Sequence, residues 1–139
     1  MNRRSFGRGR LIVGVGATIA LVGCILPWYR VGGDGGLPAV SANAFDGAGI
    51  LVFLAAVAAL ALIALPYAAG DQPLGVDRPA SFVLVVSVGV AALALRALQL
   101  WGISALALPD RSPGLWIAAA GMLLAAWGAA EIVGEPSGR

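Results

Sequence analysis

The sequence predicts an all-α integral membrane protein: a four-helix bundle with both termini in the cytoplasm. Three observations carry the prediction. Hydrophobic residues make up 60% of the 139-residue chain and charged residues only 12%, about half the charged share of a soluble domain. The apolar residues gather into four runs, at residues 11–28, 47–69, 80–101 and 115–133. Each is near the ~20 residues that a helix needs to cross ~30 Å of hydrocarbon. The arginines are also unevenly placed. With the N-terminus inside, Arg3, Arg4, Arg8, Arg10, Arg78 and Arg139 are cytoplasmic and only Arg30 and Arg111 are outside, as the positive-inside rule requires.

The first run, Leu11 to Trp28, is apolar on every face, as a helix among lipid and other helices must be. Its small residues Gly16, Ala20 and Cys24 recur at helix-packing spacing. Two features mimic targeting signals. Arg3-Arg4-Ser5-Phe6 is close to a twin-arginine motif, and Leu21-Val22-Gly23-Cys24 matches a lipobox. An uncleaved first span is the expectation, because Ile25-Leu26-Pro27-Trp28 prolongs the apolar run and three more runs follow.

The outer connection, residues 29–46, holds Gly32-Gly33-Asp34-Gly35-Gly36 and then Pro38. It has neither the strand nor the Lys-Ser/Thr pair of a phosphate loop and reads as a flexible linker. Asn43 is the expected cap of the second span, which puts Asp46 in its first turn, where a carboxylate complements the helix dipole. Pro66 should kink or end that helix. Asp77 with Pro79, and Ser112 with Pro113, carry the residue pattern of helix starts for the third and fourth spans. In the fourth, Gly114, Ala118, Gly121, Ala125 and Gly128 form a second stripe of small residues. Glu131 and Glu135 fall at its inner end, with Arg78 the expected partner of Glu131. Trp28, Tyr29, Trp101 and Trp116 should lie at the outer boundary and Tyr67 at the inner one.

Composition excludes much chemistry. The chain has no His and one cysteine, Cys24. It therefore lacks the commonest general base and metal ligand, and it cannot form an internal disulfide, a Cys-x-x-Cys pair or a thiolate zinc cage. No enzymatic activity, cofactor or metal is expected. A net charge of +2 without a basic, aromatic-interleaved stripe speaks against nucleic acid as a partner.

One charge stands out. Arg96 lies inside the third run, ~8 Å from the midplane of a ~33 Å helix, where a charge needs a partner or water. Helical side chains lean toward their own N-terminus, which turns Arg96 toward the membrane centre. Gln99 lies one turn away on the same face. The expected role of Arg96 is a structural contact within the bundle, to Asp46 or to helix-end carbonyls. The alternatives are snorkelling to the outer surface and a place in a binding site or pore.

Leu26-Pro27-Trp28-Tyr29, a Gly-rich outer loop, then Ser41-Ala42-Asn43-Ala44-Phe45 leading into an Ala/Leu-rich span, resembles a loose group of small four-span bacterial membrane proteins found in high-GC actinobacteria. Many of its members carry Trp where this chain has Asn43. The resemblance implies four spans in a bacterial inner (plasma) membrane and brings no activity with it. Small multidrug exporters fit less well, since they place a carboxylate in the first span and residues 11–28 hold none. The function expected from the sequence is that of a structural or accessory subunit acting through helix packing, with itself or within a larger membrane complex. The alternative is a protomer of an oligomeric small-solute channel or transporter.

Overall fold

A computed structural model describes residues 7–33, 35–70, 79–103 and 112–136. Four helices dominate it: α1 (Arg8–Ile25), α2 (Gly49–Ala68), α3 (Pro79–Gly102) and α4 (Pro113–Gly134). Each is long and apolar enough to span a membrane. Two short strands, β1 (Tyr29–Val31) and β2 (Val40–Ala42), pair antiparallel between α1 and α2.

The helix ends follow local chemistry. Helix α1 stops at Ile25, three residues before the expected Trp28. Pro27 explains the correction: it has no N–H to continue the ladder and it forces the preceding residue out of the helical region. Leu26 is accordingly extended, at φ −75° and ψ 157°. Helix α2 starts at Gly49 because Gly47, at φ +124°, cannot be helical. Pro66 is tolerated because the helix ends two residues later, at Ala68. Gly70, at φ +62°, then takes the left-handed position common after helix ends. Pro113 opens α4 after Ser112, as expected, but the Ser112 side chain makes no capping hydrogen bond. The expected Asp77 cap lies outside the described residues.

The connection expected to be a flexible linker is a β-hairpin. Tyr29 pairs with Ala42, Arg30 with Ser41 and Val31 with Val40. The tip turns on glycines, with Gly32, Gly33, Gly35 and Gly36 all at positive φ, a region that only glycine enters without strain. The backbone N–H of Trp28 donates to Ala42 O at 2.8 Å and closes the base of the hairpin.

Around the bundle, α1 packs on α2 and α4, and α3 packs on α2 and α4. The α1–α4 face is the most extensive, and glycines make it so. On α1 they stand at 9, 16 and 23, and on α4 at 114, 121 and 128. Both sets repeat every seven residues, two helical turns, and so line one face. Antiparallel packing sets Gly9 against Gly128, Gly16 against Gly121 and Gly23 against Gly114. A Cβ built on Gly16 would lie 2.5 Å from Ala125 N, and one on Gly128 would lie 2.6 Å from Val13 N. Backbone thus touches backbone along the whole seam, the close approach that small residues permit between membrane helices.

Val13, Ala17, Ala20, Val52, Phe82 and Met122 fill the interior. Among the described residues, Ser112 is the one polar residue that is fully buried. The large apolar side chains that soluble proteins hide are here on the outside: Leu54, Leu84, Leu98 and Leu123 all face outward. Such continuous apolar exposure does not persist in water.

Candidate functional site

The polar side chains collect at the two ends of the bundle. At the end where the start of α1 meets the end of α4, Arg8 Nε lies 3.5 Å from Glu131 Oε2. Glu131 also accepts from Trp127 Nε1 at 2.9 Å. The cation at Glu131 is thus Arg8, whereas the expected partner, Arg78, lies outside the described residues. The Glu135 carboxylate sits beside Gly7, at the N-terminus of α1, where free N–H groups favour a negative charge. Arg10 lies over the ring of Phe82, 6.0 Å from its centroid, and ties α1 to α3.

The hairpin end holds the more distinctive cluster, built around Arg96 on α3. Arg96 is half-buried. Its Nη2 donates to the backbone carbonyl of Asp46. Its Nη1 donates to Gln99 Oε1 at 3.3 Å. The guanidinium lies 5.5 Å from the ring centroid of Tyr29 on β1, within cation–π range. Arg96 Nε is buried without a partner.

The structure therefore brings Arg96, Gln99 and Asp46 together, but through a different atom of Asp46. Its carboxylate turns the other way and accepts the backbone N–H of Asn43, Oδ2 to N at 3.3 Å. Asn43 Oδ1 in turn accepts the N–H of Phe45 at 3.1 Å. These two bonds fold residues 43–46 into a tight turn, so Asn43 does not cap α2 and Asp46 is not in its first turn; the cap position is Ala48. A charge-assisted bond to a carbonyl contributes about 1.5–3 kcal/mol, and a cation–π contact about 0.5–2 kcal/mol. Arg96 thus acts as a staple that joins α3 to the start of α2 and to the hairpin.

Two members of the cluster were not anticipated. Tyr29 is one, and the signal for its contact is an arginine two spans further along the chain, near the same end of the bundle. Gly47 is the other. Its φ of +124° requires glycine, and a Cβ there would lie 3.0 Å from Arg96 Nη1. A side chain there would crowd the guanidinium by a few tenths of an ångström. Beside the staple, an open cleft of about 240 Å³ is lined by Ile25, Pro27, Ser41, Ala42, Asn43 and Asp46.

Trp28, expected at the outer boundary, is fully buried in the core, and its Nε1 donates to Gly23 O at 2.8 Å. That bond satisfies a carbonyl in the last turn of α1, which has no helical partner. Trp101, Trp116 and Tyr67 are exposed. Cys24 is fully buried on α1. No family, curated protein or solved structure matches this chain.

Proposed function

We propose that the chain is a structural or accessory subunit of a bacterial plasma membrane and works by helix packing within a larger membrane complex. Both termini face the cytoplasm and the hairpin faces outside, the orientation that the arginine distribution favours. The observation that carries this reading is the closed interior. Helices α1 and α4 meet backbone to backbone along their glycines, and the core among the described residues is apolar except for Ser112. A solute path needs a polar lining, and the polar groups described here serve as staples at the two ends. What the molecule offers a partner is its outer surface. Neither an enzymatic step nor a nucleic-acid contact is part of the proposal.

A pull-down in a gentle detergent followed by mass measurement tests it. The expected result is a heteromeric assembly containing this chain. A homo-oligomer that conducts a solute after reconstitution would favour the channel or transporter alternative. A monomer without partners would contradict the subunit reading.

A further inference from the structure

The last carbonyls of a helix need partners from outside it. In α1 three of them find one. Leu26 N donates to Val22 O and Ala44 N to Cys24 O, and Trp28 Nε1 donates to Gly23 O. Among the described residues nothing donates to the next carbonyl, Ile25 O. Ile25 and Pro27 line the open cleft together with Ser41, Ala42, Asn43 and Asp46. The negative end of the α1 dipole and the Asp46 carboxylate therefore border one space. The chain supplies no cation to it. Arg96 is engaged with the carbonyl of Asp46, and the carboxylate accepts only the Asn43 N–H, at 3.3 Å, among the described residues.

A positive charge stands at the rim. Arg30 is directly opposite Ser41 in the hairpin, and cross-strand partners project to the same side. Arg30 is exposed and has no hydrogen-bond or ion-pair partner for its side chain among the described residues. No ion pair joins it to Asp46. Opposite charges held apart across a cleft suit a ligand that carries both signs. The cleft measures about 240 Å³, roughly eight times the share of one water molecule, so it holds a group of several atoms and not a bare ion. Its depth selects the ligand. Helix α1 has 18 residues, ~27 Å of axis, against ~30 Å of hydrocarbon. Its last residue thus stands at the headgroup boundary, and Ile25 is 67% exposed beside the cleft.

We propose that the cleft holds the headgroup of an aminophospholipid, with its primary ammonium on Asp46 and the carbonyl end of α1 and its phosphate toward Arg30. A primary ammonium has three N–H donors, enough to serve the Asp46 carboxylate and Ile25 O together. A choline headgroup has the same charges but no N–H. The proposal rests on the membrane reading of the four helices and adds a ligand to it.

Native mass spectrometry of the full chain in a mild detergent tests this, with phosphatidylethanolamine and phosphatidylcholine of identical acyl chains supplied in equal amounts. The chain should retain phosphatidylethanolamine over phosphatidylcholine by roughly three- to tenfold, the effect of one charge-assisted contact. Asp46→Asn, which keeps the size of the side chain, should bring the ratio close to one. Arg30→Gln should weaken retention of both lipids alike, since both carry the phosphate. Equal retention of the two lipids by the unaltered chain would overturn the proposal, and so would a preference that survives Asp46→Asn. Displacement of the lipid by soluble phosphoethanolamine would overturn the lipid as the source of the headgroup. Failure of the chain to float with vesicles of the same lipids would instead bring down the membrane reading itself.

Discussion

Replacing Gly121 with alanine adds one methyl group at the middle of the α1–α4 seam. A Cβ there would lie 2.6 Å from Gly16 O and 2.9 Å from Ala20 Cα. Ordinary Cβ contacts lie at 3.4–4 Å. The obstructing atoms are backbone of a rigid helix and cannot rotate away, so α1 and α4 must part by about 1 Å. A gap of that size forfeits about a quarter to a half of each dispersion contact along the face. Overpacking of this kind costs about 1–3 kcal/mol. Gly134→Ala is the control, because nothing lies within 4 Å of a Cβ at Gly134; there the change should be neutral or stabilising by up to about 1 kcal/mol. Unfolding by SDS titration in mixed micelles reads the difference, and Gly121→Ala should be less stable than Gly134→Ala by about 2 kcal/mol. Equal stability of the two variants would refute the backbone-to-backbone seam. Adding Gly16→Ala to Gly121→Ala should cost less than the sum of the two, since the first substitution has already parted the helices there.

Arg96→Ala should lower stability by about 1–3 kcal/mol, and Arg96→Lys should restore it only partly, since lysine lacks the planar fork that reaches Asp46 O and Gln99 together; full rescue by lysine in the same titration would indicate snorkelling. Because Arg96 bonds the carbonyl and not the carboxylate of Asp46, Asp46→Asn should keep most of the stability, whereas Gly47→Ala should be destabilising; the reverse order in thermal melts would contradict the staple. Trp28→Phe removes the donor to Gly23 O and should cost about 1 kcal/mol, while Arg8→Ala, at a side chain 79% exposed, should change stability by less than about 0.5 kcal/mol. A reporter active only in the cytoplasm should work after Arg139 and be silent in the Gly32–Gly36 loop, and mass spectrometry of the mature protein should find residues 1–23 still attached.

Hydropathy located the spans because a helix in lipid must be apolar over its whole circumference, and Pro79 and Pro113 marked the starts of α3 and α4. The end of α1 escaped for the same reason. Leu26, Pro27 and Trp28 count as apolar, yet Pro27 stops the helix and Trp28 turns inward to bond Gly23. The hairpin hid in composition, since strands of three residues on either side of a glycine-rich tip carry too little alternation to register. At the site, charge pointed to the correct neighbour of Arg96 but left open whether a carboxylate or a carbonyl would take the bond. A carboxylate is the natural partner of an arginine, but Asn43 had already engaged that of Asp46, a local turn that residue type alone does not announce. The glycine seam was partly legible, since Gly114, Gly121 and Gly128 repeat every seven residues. Its role depends on the matching set on α1, Gly9, Gly16 and Gly23, which stands opposite.

Cys24 offers the most direct test of the closed interior on which the proposed role depends. It is the only cysteine in the chain and is fully buried among the helices. A charged, water-soluble methanethiosulfonate reagent applied to native membranes can reach Cys24 only through a water-filled path, whereas SDS exposes the same thiol. A packed bundle that acts through its surface predicts no modification of Cys24 in the folded protein and complete modification after SDS. Rapid modification in the folded protein would reveal water inside the bundle and contradict the account.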